Sequence, residues 1–260
     1  MGEDHFWAIR GGEGASFGVI FSWKVRLVQI PPSVTVFKVA KTLEQGASKL
    51  LQKWQRIGDK LPEDLFLHAA TEVVNAISNN NKTIRVSFDS LYLGEAKTCS
   101  CFSTSESSEL LLNRTAQFKG FFKAKSDYVK EPISETELEG LYKKLLEAET
   151  SELILTPCGG KMSEIQDSET PFPRRRGNIY KIQYMVTWDK EEETEQHLRW
   201  MRSLYSYMAP YVSKSPRAAY LNYRDLNLGW NKNGNTSFAQ ASVWGLKYFK
   251  NNFKISKSKD

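Results

Sequence analysis

At 260 residues the chain exceeds the usual domain of about 100 to 200 residues, which allows one large domain or two modest ones. With 40% hydrophobic, 12% aromatic and 25% charged residues, it has the composition of a folded globular protein, which argues against disorder. The net charge of +6, from 36 basic and 30 acidic residues scattered along the chain, gives nucleic-acid binding little support, and no apolar run reaches the about 18 residues of a membrane helix.

Met1 to Asp4 lack the basic start and apolar core of a secretion signal. Arg10 to Gly18 form a glycine-rich turn, and the alternation of Val19, Phe21, Trp23, Val25 and Leu27 predicts a half-buried strand after it. Pro31 and Pro32 end that strand, and Val34 to Val39 predict another. From Leu43, the apolar positions Ala47, Leu50, Leu51, Trp54, Ile57 and Leu61 have helical spacing and predict a helix covering a sheet. Leu65 to Ile77 and Thr83 to Leu93 read as a hairpin around the turn residues Ser78 to Asn81. Thr98 to Ser108, rich in Ser, Thr and Cys, show no period.

Ser134 and Glu137 have capping-box spacing ahead of a stripe of Leu138, Leu141, Tyr142 and Leu145. Strands are expected at Leu153 to Thr156 and Asn178 to Trp188. A helix at Lys190 to Tyr207 begins with acids and stops near Pro210. This order predicts an α+β fold, an antiparallel sheet with helices on one face.

In the strand Asn178 to Trp188, Tyr180, Ile182, Tyr184, Val186 and Trp188 share one face, which packs. Lys181 and Gln183 stand on the other, either a solvent face or a functional one. Ala218 to Asp225 reads as a strand that places Tyr223 with Leu221 and Tyr220 with Asn222. A nearby ammonium favours a phenolate, so Tyr223 beside Lys181 is a feasible base; a core tyrosine with one satisfied hydroxyl is the structural alternative. Gly11, Gly12, Gly14 and Gly18 could approach a phosphate but match no phosphate-loop pattern, and a tight turn explains them equally.

Cys99, Cys101 and Cys158 form neither a disulfide framework nor a zinc pattern, and His5, His68 and His197 give no support to a metal cluster or a catalytic triad. Arg174, Arg175 and Arg176 follow Pro171 to Pro173 and read as a solvated turn, with polyanion binding as the alternative. Asn81, Asn113 and Asn235 each open a glycosylation sequon.

Several strings recur together: MGEDHFWAIRGGEGASFGVI at the start, FKAKSDYV from Phe122, GGKMSEI from Gly159, YKIQYMVTW from Tyr180, SPRAAYLNYRDLNLGW from Ser215 and QASVWGLKYFKNNF near the end. With them the chain resembles the plant berberine bridge enzyme-like family of FAD-linked oxidases. The resemblance implies an FAD-binding domain of vanillyl-alcohol-oxidase type around a substrate domain with an antiparallel sheet. Residues 1–30 then correspond to the last part of the flavin domain, 31–225 to the substrate domain with an internal deletion near 98–110, and 226–260 to a shortened C-terminal segment. The family's His and Cys flavin attachment motifs have no counterpart here, which implies an incomplete copy.

Residue by residue, the resemblance carries over Tyr223 as catalytic base and Lys181 and Gln183 as substrate-pocket residues of the alcohol-oxidising branch. Arg10, Gly11, Gly12, Gly14, Gly18 and Val19 match the stretch near the flavin phosphates, with Glu13 where the family shows glycine. Cys158 stands where an aromatic residue is common, and Arg174 where the family has His. The implied reaction takes a proton from an alcohol, sugar or plant secondary metabolite and passes a hydride to FAD. The partners implied are FAD and a small molecule, without nucleic acid or membrane, in a glycoprotein that is secreted or held in cell wall or vacuole. A catalytically inactive fragment is the alternative.

Overall fold

The computed structural model describes residues 2–12, 19–76, 81–95, 120–231 and 234–257. A short helix α1 (Glu3–Ile9) is followed by strand β1 (Thr35–Thr42), helix α2 (Ala47–Ile57), and strands β2 (Leu65–Asn75), β3 (Lys82–Tyr92) and β4 (Phe121–Val129). Then come α3 (Glu135–Leu146), β5 (Ser151–Pro157), α4 (Lys161–Glu164), β6 (Tyr180–Trp188), α5 (Thr194–Tyr207), α6 (Phe238–Phe249) and α7 (Asn252–Lys257). The strands form one sheet in the order β1-β3-β2-β5-β6-β4, antiparallel at every pairing.

Helices α2, α3 and α5 lie against one face of this sheet. The alternation of β6 sets that geometry, because Tyr180, Ile182, Tyr184, Val186 and Trp188 are all buried while the residues between them are half-buried. Leu51 and Trp54 of α2, Leu138, Leu141 and Leu145 of α3, and Met201 and Leu204 of α5 close onto Ile84, Val86, Leu153 and Leu155. Each fully buried aliphatic side chain of this kind contributes about 1.5–3 kcal/mol.

Polar groups fix the helices in register. Gln55 of α2 accepts from the Ile133 N–H and the Tyr180 hydroxyl and donates to the Ile133 carbonyl. Trp200 donates to the Lys144 carbonyl at 2.9 Å, and Tyr207 to the Glu137 carbonyl at 2.7 Å. The capping box read at Ser134 and Glu137 is present. The helix expected from Leu43 is a 3-10 turn at Leu43–Gln45 and then α2, separated by Gly46 at φ 85.

Two expected strands are absent as strands. Residues 19–30 pair with no strand among the described residues, and Val19, Phe21 and Leu27 are 83%, 96% and 87% exposed. Alternation alone makes no strand, because a strand needs the N–H and C=O groups of a neighbour. Ala218 to Asp225 forms an arch with a turn at 221–223. Conversely, β4 carries Lys123, Lys125, Ser126 and Asp127 and is a full edge strand despite that polar content. The Ser-rich stretch, with the deletion expected near 98–110, lies outside the described residues, as does most of the expected turn at 78–81.

Candidate active site

The edge strand β4 positions the arch. At its start, the Arg217 guanidinium grips the buried Asp127 with two of its nitrogens, Nε to Oδ1 at 2.7 Å and Nη2 to Oδ2, and donates Nη1 to the Tyr205 carbonyl at 2.8 Å. In the middle, the Tyr220 N–H donates to Ser126 Oγ at 2.8 Å. At its end, Asp225 is 3% exposed and pairs with Lys123 at 2.6 Å and with Lys125. Burial would raise the Asp225 carboxyl, but the two ammonium groups outweigh it and hold the carboxyl below its ordinary value. The arch thus covers the sheet edge without joining the ladder, one way that an unpaired edge is protected.

The paired registers show what the arch covers. Lys181 of β6 lies opposite Thr156 of β5 and Tyr128 of β4, and Gln183 lies opposite Ile154 and Ser126. All of these point to the sheet face away from α2, α3 and α5. On that face the Lys181 Nζ sits 3.9 Å from the centroid of the Tyr220 ring and 4.9 Å from that of Tyr223. The two rings meet edge to face at 5.0 Å. Asn222 Nδ2 donates to the Tyr220 hydroxyl at 3.0 Å. The Tyr223 hydroxyl makes no hydrogen bond among the described residues.

The electrostatics correct one expectation. Lys181 lies over the ring faces, not beside the Tyr223 hydroxyl, and it does not pull that phenol toward ionisation. Burial, with the neighbouring Tyr220, raises the Tyr223 hydroxyl above its ordinary value of 10.0. Burial also lowers the Lys181 ammonium, an effect opposed by the Cys158 thiol. Burial pushes that thiol up to about 11, so Cys158 is an inert wall residue.

Sequence reasoning brought Lys181, Gln183 and Tyr223 forward, and the structure places them on one face. It missed Tyr128, which is 1% exposed, carries a hydroxyl without a hydrogen-bond partner among the described residues and packs with Cys158, Ala218 and Tyr220. The available signal was Tyr128's place at the end of FKAKSDYV, whose charges disguise a strand. The arginine run is also corrected: Arg174 and Arg175 are only 5% and 9% exposed. Arg174 donates to the Lys247 carbonyl at 2.5 Å, and Arg175 to Thr170 Oγ1 at 2.7 Å. Only Arg176 is exposed, as the solvated turn required of all three.

No family model matches the sequence. The chain is 48% identical to a tetrahydroberberine oxidase of Berberis wilsoniae over 98% of its own length and 54% of that protein. It is 46% identical to the monolignol oxidoreductase AtBBE-like 13 of Arabidopsis thaliana, over 98% of its length and 53% of that protein. Among solved structures it superposes on BBE-like #28 of Arabidopsis thaliana with a TM-score of 0.86 and 40% identity, covering 99% of this chain and 59% of that one. On the grass pollen allergen Phl p 4, a protein with glucose dehydrogenase activity, the TM-score is 0.85 at 35% identity, with 99% and 58% covered. The chain spans about half the length of the curated relatives it matches.

A six-stranded antiparallel sheet, helices on one face and a lysine-tyrosine cluster on the other, defines an α+β protein of the kind built into FAD-linked oxidoreductases. Over the half of those proteins that it spans, the chain belongs to the berberine bridge enzyme-like family.

That family is FAD-dependent, and the described part of the glycine-rich stretch does not fit a cofactor cradle by itself. Arg10 lies over the Phe6 ring at 4.7 Å, and the Gly12 N–H is taken by the Ala8 carbonyl at 3.0 Å. Gly11, at φ 121, packs on Phe172, where a Cβ would come within 3.1 Å of the Phe172 Cβ. Val19 is 83% exposed, and Gly14 and Gly18 lie outside the described residues. Of the sequons, Asn81 and Asn235 are exposed, and Asn113 lies outside the described residues. Among the described residues no helix is long and apolar enough to cross a membrane.

Proposed function

We propose that the open sheet face is the substrate wall of an FAD-linked alcohol oxidoreductase, the wall that handles the substrate's proton. The carrying observation is the Lys181 ammonium 3.9 and 4.9 Å from the centroids of the Tyr220 and Tyr223 rings. Tyr223 acts as base on the substrate hydroxyl, Lys181 holds the Tyr220 and Tyr223 rings in place through its contacts over their faces, and Gln183 orients the substrate from the next position on that face. Because burial raises the Tyr223 hydroxyl, the phenolate is scarce at neutral pH but strongly basic once formed, and turnover rises with pH toward that raised value.

The aromatic lining favours a planar aromatic alcohol of the monolignol type, the class named for the relative that is 46% identical. No step of the electron transfer to FAD is assigned to this chain, whose described residues do not form the cradle. The sequence division into a flavin-domain part (1–30), a substrate domain (31–225) and a C-terminal segment (226–260) is retained as part of this reading. The alignment over 288 residues, longer than the chain's 260, supports a passage present in the relative and missing here. The exposed Asn81 and Asn235 support a secreted glycoprotein.

The test supplies FAD and coniferyl alcohol to the wild type and to Tyr223→Phe, measuring turnover and binding separately. Loss of about 10²–10⁴-fold in turnover with little change in binding is expected; equal turnover refutes the base. A chain without turnover of its own is the second reading, favoured by the internal contacts of Arg10, Gly11 and Gly12. Coniferyl alcohol that binds without any turnover selects it.

A further inference from the structure

Beside the open sheet face, where Arg174 lies over the Tyr128 ring at 5.9 Å, four separate stretches of chain converge on a cleft of about 350 Å³. Lys130, Arg174, Arg176, Lys214, Lys250 and Lys254 all line it, and no acidic residue does. Lys250 has an outside partner, Asp167 at 2.7 Å. Among the described residues, none of the others forms an ion pair. The five like charges that remain around one cavity repel one another, an arrangement that an anion relieves.

Arg174 makes this a built site. The residue is 5% exposed and holds the end of α6 through its Nη2 bonds to the carbonyls of Leu246 and Lys247, yet its buried Nε has no hydrogen-bond partner among the described residues. The guanidinium is thereby held in place as a positive charge in the cleft wall, a planar cation of the kind that suits phosphate. The backbone agrees. Among the described residues, the two non-glycine residues with left-handed φ, Ser215 at 59 and Lys250 at 47, both line this cleft. Such conformations persist where the surroundings over-determine them, and they gather at ligand sites.

We propose that this cleft binds a compact, multiply charged phosphate. Its size suits a small ligand better than a polymer.

Calorimetric titration of the purified chain at low salt tests the proposal with three probes: pyrophosphate, fructose 1,6-bisphosphate and an oligogalacturonate. Saturable binding of the phosphates at one site is expected, weakened by rising salt. The exposed pair Arg176→Glu and Lys214→Glu weakens it by about tenfold or more, whereas the charge-matched pair Lys49→Glu and Lys53→Glu on α2 leaves it unchanged. Lys130→Gln, a single neutralisation at an exposed position, gives a smaller loss in the same direction. Tighter binding of the bisphosphate assigns the occupant to organic phosphates, and tighter binding of pyrophosphate to inorganic ones. Absence of saturable phosphate binding, equal weakening by both charge-reversed pairs, or tighter binding of the oligogalacturonate would each overturn the proposal.

Discussion

Asp225→Asn removes the carboxylate that closes the arch, and the structure sets the size of the effect. In the wild type that carboxylate is 3% exposed and faces two ammonium groups, Lys123 at 16% and Lys125 at 7% side-chain exposure. Once it is gone, Lys125 is left as a buried charge with no partner in the pair, while Lys123 turns more easily to water. Breaking a buried pair from one side costs about 3–5 kcal/mol. Because asparagine keeps an oxygen for the Asn227 N–H at the following turn, the low end, about 3 kcal/mol, is expected. Urea unfolding followed by circular dichroism measures it. In a Lys125→Met background the same substitution costs less, since the stranded charge is already absent. A loss under about 1 kcal/mol in the wild-type background, or the same loss in both, would refute the idea that the arch is held by this charge cluster.

The same group makes stability depend on pH. Burial raises the Asp225 carboxyl, but Lys123 and Lys125 lower it further, so its folded value lies below the ordinary 3.8. Its contribution is therefore present above pH 3.8 and is lost as pH falls through the folded value; the stability gap between wild type and Asp225→Asn narrows in acid, and a constant gap would contradict the assignment. Gly159→Ala places a Cβ 1.8 Å from the Asp59 carbonyl oxygen, a backbone atom that cannot swing away, and a loss of about 1–3 kcal/mol in urea unfolding is expected. Leu204→Ala, at a fully buried position of α5, leaves a cavity against the sheet and costs about 2–5 kcal/mol by the same measurement. Expression in a secretory host adds glycan mass that Asn81→Gln and Asn235→Gln remove stepwise; unmodified protein from that host contradicts the secreted reading.

Much of the sheet and of its helical cover was legible because it rests on local signals. The alternation of Tyr180 to Trp188 and the box at Ser134 and Glu137 are written within a few residues. What stayed hidden depends on partners distant in sequence. The strand FFKAKSDYV has charges where apolar residues would announce burial, and they are tolerated because Arg217 and Asp225, about 90 to 100 residues later, neutralise them. Those pairs also make Ala218 to Asp225 an arch instead of the strand that its pattern suggested. Helix α6 was legible but unread, since Ser237 and Gln240 form a capping box at the expected spacing. In the site, alternation placed Lys181 and Gln183 on one face. That Lys181 lies over the ring of Tyr223, with no ammonium beside its hydroxyl, required the arch.

Methyl-labelled methionine offers the most direct test of the open face as a substrate wall. Met185 lies on that face next to Gln183, whereas Met201 and Met208 are buried at 1% and 0% exposure on the helical side. Titration with coniferyl alcohol, followed by methyl NMR, is expected to shift Met185 saturably while Met201 and Met208 stay in place, with the midpoint weakened in Lys181→Ala. A Met185 signal unmoved while the alcohol binds elsewhere would show that the lysine-tyrosine face is not the substrate wall.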